Sequence, residues 1–232
     1  MYAVIFEVQP KAGCLDEYLE IAKRLRPELD RIEGFLTIDR LASRETAGRI
    51  LSFQTWRDDA AVTRWREHGG HREAQAQGRR LFADYRLRVG EVIDPGPGNG
   101  AGDATPANSR IATVTEFEPG ADLESGVLRL DPDGLLAQET FESLYTPGKR
   151  LLLASWRDEA AAAAGAARAG LDGARPGIRH LRIRVLRDYG PTDRREAPRR
   201  VAPRRVAPRG AAPDPVAPER SRPAEPAAAE KA

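Results

Sequence analysis

One heptapeptide occurs twice. Thr55-Trp56-Arg57-Asp58-Asp59-Ala60-Ala61 returns as Ser155-Trp156-Arg157-Asp158-Glu159-Ala160-Ala161, and Arg86-Leu87-Arg88-Val89 returns as Arg182-Ile183-Arg184-Val185. A period of about 100 residues is a whole domain rather than a solenoid unit. The chain therefore has to fold as two copies of one small architecture, and its 232 residues leave little room for anything else.

The first copy supplies the pattern. Tyr2, Val4, Phe6 and Val8 alternate with Ala3, Ile5 and Glu7 as a strand, ended by Pro10 and Gly13. Leu15, Tyr18, Leu19, Ala22, Leu25, Leu29 and Ile32 have the spacing of an amphipathic helix, which Pro27 should bend or divide. Phe35 to Ser43 and Arg49 to Trp56 read as a hairpin. Asp58 caps a helix from Ala60 to His68, Gly69-Gly70 interrupts it, and His71 to Ala83 resumes before a last strand from Tyr85 to Ile93. The order β-α-β-β-α-β is ferredoxin-like, an α+β fold with helices on one face of an antiparallel sheet. Both residue parities of the strands carry apolar groups, so the far face should be buried too, against a second sheet.

Four segments follow: a domain over 1–93, a Gly/Pro-rich linker over 94–109, a degenerate second copy over 110–190, and a disordered Arg/Pro/Ala-rich tail over 191–232. In the second copy Ile111 to Phe117, Leu135 to Leu144, Arg150 to Trp156 and His180 to Arg187 read as strands. Between Glu118 and Leu135 there is room only for a short helix, and the helix from Glu159 to Ala169 is mostly alanine and fills little volume. The tail holds ten Arg/Lys against six Asp/Glu, a charge of +4, so a net charge of +2 leaves the rest at −2. The basic excess thus lies outside the folded part and makes no case for nucleic-acid binding; a solvated extension is the simpler reading of the tail. The single cysteine, Cys14, excludes an intrachain disulfide framework and any multi-cysteine metal site. No apolar run is long enough to cross a membrane, and the start lacks the pattern of a signal peptide. The expectation is a cytoplasmic protein.

Several of these residues, taken in order, resemble the antibiotic biosynthesis monooxygenase (ABM) family of dimeric α+β barrels. They are Pro10-Lys11-Ala12-Gly13, Glu33-Gly34-Phe35, Ser52 through Trp56-Arg57-Asp58, Trp65-Arg66-Glu67-His68 with His71-Arg72-Glu73-Ala74-Gln75, and Tyr85-Arg86-Leu87-Arg88-Val89. The resemblance spans 1–93 and, more weakly, 110–190. It implies two copies pairing their sheets face to face, either within this chain as a pseudo-dimer or between chains as a homodimer. It also implies a substrate cavity between helices and sheet. Some members oxygenate aromatic polyketides without metal or flavin; others degrade haem.

The resemblance places pocket residues on the segment holding Trp65, His68 and His71. For cofactor-free oxygenation the substrate supplies the electrons once deprotonated, so the protein needs a base and donors for the developing anion. His71 or His68 is the candidate base, Arg86 or Arg40 the electrostatic partner, and Trp65 and Tyr85 the apolar wall. Phe6 and Asp39 join Tyr85 as substrate-binding candidates. No cofactor and no metal are expected; two histidines without a third ligand make a poor metal site. Haem would use His71, or second to it His68, as axial ligand, but the asparagine and second histidine of haem-degrading relatives are replaced here by Phe6 or Glu7 and by Gln75. Three readings result. The first is a monooxygenase of a small aromatic or quinol-like compound. The second is a non-catalytic pseudo-dimer binding a small hydrophobic ligand or a protein partner, and the third is a haem-binding or haem-degrading protein.

Overall fold

A computed structural model describes residues 1–93, 110–121, 130, 133–173 and 175–198. The first copy runs β1 (Tyr2–Pro10), α1 (Leu15–Leu29), β2 (Phe35–Ser43), β3 (Ile50–Trp56), α2 (Asp59–Glu67), α3 (Gly69–Leu81) and β4 (Phe82–Ile93). In the second copy β5 (Ile111–Phe117), β6 (Leu135–Ser143), β7 (Arg150–Trp156), α4 (Glu159–Arg168) and β8 (Ile178–Tyr189) follow. This is an α+β chain of two ferredoxin-like repeats. The short helix expected between Glu118 and Leu135 and the linker over 94–109 lie outside the described residues, as does the tail beyond Pro198.

The eight strands close into one barrel in the order β1-β3-β2-β6-β7-β5-β8-β4, every neighbouring pair antiparallel. Two seams join the copies. At β4–β8 the pairing runs from Leu87↔Tyr189 to Ile93↔Arg182, while β2–β6 is held by Leu41↔Ser143, Ala42↔Glu142 and Ser43↔Phe141. The second seam is reciprocal: Leu144 N donates to Arg40 O at 2.8 Å and Arg44 N to Thr140 O at 2.9 Å. Closure removes the unpaired edges that an open sheet would expose.

Barrel closure explains why both residue parities are apolar. Ala3, Ile5, Leu41, Leu51 and Phe53 from the first copy and Ala112, Val114, Phe141, Leu151, Leu153 and Ile183 from the second meet inside the barrel. The opposite parity faces the helices. Val4, Trp56 and Val89 pack there with Leu29, Val62 and Trp65, and Val8 and Ile50 pack with Tyr18, Ile21 and Leu81. The far side of each half-sheet is thus covered by the other half.

The copies share local detail. Asp58 and Asp158 both cap a helix, accepting from Ala61 N at 2.7 Å and Ala161 N at 2.8 Å. Gly34 and Gly134 both have positive φ, and a Cβ there would meet the Cβ of Ala61 or Ala161 at 2.7 or 2.4 Å. Only glycine permits the hairpin to lie so close under the capped helix.

Two expectations need correction. α1 continues through Pro27 to Leu29, because so near the helix end the missing N–H forfeits only the bond to the Lys23 carbonyl. The folded unit does not stop at 190 but runs to Ala197. Glu196 holds the extra segment by accepting from Arg110 Nη2 at 2.7 Å and from Asp188 N at 2.7 Å, and Arg194 donates to the Tyr85 hydroxyl.

Candidate active site

The second crossover of the first copy carries Trp65, His68 and His71. α2 buries Ala61, Val62 and Trp65, the face that its apolar spacing dictates. At His68 the backbone leaves the helix (φ −59, ψ 136), so the break falls at the histidine itself and α3 starts on Gly69. His68 and His71 therefore do not share one helix face, but both come to the same indole. The His71 ring lies 4.3 Å from the Trp65 ring at 12°, and the His68 ring 5.7 Å away at 23°. His68 Nδ1 also lies 3.2 Å from Glu28 Oε2 on α1.

His71 Nδ1 is 2.9 Å from the Trp65 carbonyl oxygen. A carbonyl only accepts, so Nδ1 carries the proton and Nε2 keeps a lone pair. Burial pushes the imidazole down to about 4, His68 adding to that direction and the carbonyl bond opposing it. At neutral pH His71 is an uncharged imidazole of fixed tautomer. Gln75 Nε2, 3.4 Å from the same Nδ1, is the weaker neighbour.

A second group forms where α1 crosses the sheet. Strand register sets Arg40, Ser52, Phe6 and Leu87 in one row across the helix-facing side, with Ala42, Ile50, Val8 and Tyr85 in the next. Phe6 meets Phe82 at 5.8 Å and Tyr85 at 6.0 Å, and Tyr18 meets Phe82 at 5.4 Å edge-on. Arg40, 9% exposed, donates from Nη1 to the Tyr145 hydroxyl at 3.2 Å and has the Tyr18 phenol as second neighbour. Burial pushes the Tyr18 phenol up, with Arg40 opposing. Leu25 packs against both this group and the Trp65 group.

The structure thus brings Trp65, His68 and His71 together and sets Phe6 beside Tyr85; Trp65, Phe6 and Tyr85 pack in the layer between sheet and helices, and the two histidines lie partly buried at its edge. Arg86 and Asp39 lie on the other parity. Arg86 is held in a two-pronged pair with Asp188, at 3.1 Å and 2.7 Å. Asp39 accepts from Ser143 Oγ at 2.9 Å and lies 3.4 Å from Lys149 Nζ. Arg40 is the arginine on the same side as Phe6 and Tyr85. Tyr18 and Tyr145 escaped the sequence reading: Tyr18 looked like one more apolar helix position, and Tyr145 comes from the other copy.

The second copy lacks the equivalents. The shared spacing puts Gly165 where Trp65 stands and Arg168 where His68 stands, and strand register matches Phe6 with Thr115. A Cβ on Gly165 would come 2.2 Å from Trp156 Cη2, so glycine is what lets α4 rest on that ring. His180 lies 2.8 Å from Thr115 Oγ1 and is pushed down to about 4, mainly by burial and further by Arg182. Among the described residues no group of three or more His, Cys, Asp or Glu is placed to hold a metal ion, and no helix is long and apolar enough to cross a membrane.

The family model described as antibiotic biosynthesis monooxygenase matches residues 1–77. A protein of Pyricularia oryzae named jasmonate monooxygenase ABM is 37% identical over 218 residues, spanning 85% of this chain and 97% of its own length. Similar solved structures include an antibiotic biosynthesis monooxygenase with 16% identity, covering 40% of this chain and 100% of its own, at a TM-score of 0.38. Another is Rv0793 of Mycobacterium tuberculosis, with 18% identity, coverage of 40% and 95%, and a TM-score of 0.37.

Proposed function

Since the chain belongs to the antibiotic biosynthesis monooxygenase family, we propose that it is a cofactor-independent monooxygenase with one working site, in the first copy. In this reading the second copy is a built-in partner subunit, a pseudo-dimer within one chain. The substrate is a small, largely apolar ring compound, aromatic or quinol-like, or a cyclic ketone such as the jasmonate in the relative's name. Such molecules share an acidic C–H next to a carbonyl or a conjugated ring. The single cysteine fits work in a reducing compartment, the cytoplasm.

The observation that carries this reading is the Trp65 carbonyl holding His71 Nδ1–H, which leaves Nε2 as an acceptor on a ring stacked against the Trp65 indole. Nε2 takes the proton from the substrate carbon, and the resulting carbanion passes electrons to dioxygen. A ring methylene becoming a carbonyl with one O2 consumed and one water released balances without an external reductant. Trp65, Phe6 and Tyr85 form the apolar wall that orients the ring and keeps bulk water from the carbanion.

The test is oxygen uptake by the purified chain with jasmonate, its methyl ester and a panel of ring-methylene quinols, comparing wild type with His71→Ala. Uptake with at least one compound, falling 100-fold or more in the variant while the fold persists, is the expected result. Equal uptake by both proteins removes His71 as the base, and no uptake across the panel counts against the oxygenase reading.

A further inference from the structure

Arg40 is a buried cation without a counter-ion. Its Nε has no hydrogen-bond partner, its neighbours are the phenols of Tyr18 and Tyr145, and among the described residues it forms no ion pair. An unpartnered Nε is shared with Arg88, so the missing counter-ion is what sets Arg40 apart: Arg88, likewise buried, is paired with Glu7 and also donates to Ser155. Leaving a guanidinium buried and unpaired is costly, so an Arg kept in that state is matched to an anion that arrives from outside.

The neighbouring groups all donate. Arg40 has only N–H groups to offer. Because Tyr145 Oη already accepts from Arg40, its own hydroxyl hydrogen is free to point elsewhere. Tyr18, 7% exposed, stays a neutral hydroxyl. Tyr145 is 56% exposed, which puts the guanidinium one hydrogen bond from the surface. On the inner side, Ser52 and then Phe6 continue the row across the sheet. We infer that Arg40, Tyr18 and Tyr145 form a carboxylate-recognition site, and that the ligand of the first copy is a small monocarboxylate whose apolar body lies toward Phe6.

The matching place in the second copy is built the other way. There Thr140 takes the position of Arg40 and Glu45 that of Tyr145, and Glu45 Oε2 accepts from Thr140 N at 2.9 Å. That place already holds an anion, and Thr140 offers no cation in place of Arg40. Among the described residues the recognition site therefore occurs once, and it draws Tyr145 from the second copy, which gives the fused partner a part in choosing the ligand of the first.

The inference deepens the oxygenase reading and rests on it for the kind of ligand, but not for the site. The experiment is titration calorimetry of the full chain with the free acid and the methyl ester assayed above, using wild type, Arg40→Gln and Arg40→Lys. Wild type is expected to bind the acid at least tenfold more tightly than the ester. Arg40→Gln should weaken the acid about 10- to 100-fold and leave the ester unchanged, with Arg40→Lys between them. A thermal melt of each variant checks that the fold is intact. Equal affinity for acid and ester in wild type, equal weakening of both in Arg40→Gln, or no saturable binding of either would overturn the inference. Tight acid binding without oxygen uptake would sustain it and remove the oxygenase reading instead.

Discussion

The imidazole of His71 lies nearly parallel to the indole of Trp65, 4.3 Å between ring centres, while its Nδ1 donates to the carbonyl of the same tryptophan. One residue thus sets both the plane and the tautomer of the other. Burial, against the opposing pull of that hydrogen bond, keeps His71 neutral at physiological pH, with its pKa pushed down to about 4. In an NMR titration the His71 ring protons should move with a midpoint of about 4, well below that of an ordinary histidine. Trp65→Leu should bring the midpoint back toward 6.5. A midpoint near 6.5 in wild type would contradict the burial of the imidazole against Trp65.

Stability should depend on pH in a defined window. Both His71 and His180 are pushed down to about 4, largely by burial. As pH falls below 6.5 the unfolded chain takes up protons on these residues while the folded chain does not until about 4. Stability is therefore complete above 6.5 and lost between 6.5 and 4, at no more than about 1.4 kcal/mol per pH unit for each histidine. Urea midpoints measured at pH 7, 6 and 5 should fall steadily, and less steeply in His71→Gln. A flat series would sink the idea.

Gly165 tests the eroded state of the second copy. Intrinsic helix preference alone favours alanine there by about 1 kcal/mol. Yet an added Cβ would lie 2.2 Å from Trp156 Cη2, and Trp156 is 2% exposed with its Nε1 donating to Thr113 Oγ1 at 2.9 Å, so the ring has no room to yield. Gly165→Ala should lower stability by about 1–3 kcal/mol, visible as a drop in Tm. A raised Tm would mean that α4 does not rest on Trp156 as described.

Arg40→Met should leave the melting temperature unchanged or raise it, because the substitution exchanges an uncompensated buried charge for an apolar chain of similar length. Oxygen uptake with an acid substrate should fall in the same protein. A marked loss of Tm would show Arg40 to be a structural tie for Tyr18 and Tyr145.

Much of the fold was legible because two heptapeptides and two Arg-rich strands fixed the repeat, and the apolar alternation on both parities announced a covered far face. The histidine segment was legible too, though not its break at His68, since Gly69-Gly70 is the stronger sequence signal. What alternation could not tell was which parity meets the helices. In a closed barrel both sides of a strand are apolar, so Asp39 and Arg86 looked as eligible as Arg40 until the strand register separated them. Tyr145 comes to Arg40 from a sequence separation of 105 residues. No local pattern encodes that meeting; it follows from the β2–β6 seam.

The most direct measurement is an 18O2 incorporation experiment on wild type, His71→Ala and His180→Ala with whichever compound supports oxygen uptake. One labelled oxygen in the product and one in water, lost in His71→Ala and kept in His180→Ala, is the predicted result. Label entering the product equally in all three, or lost equally from both variants, would contradict a single working site in the first copy.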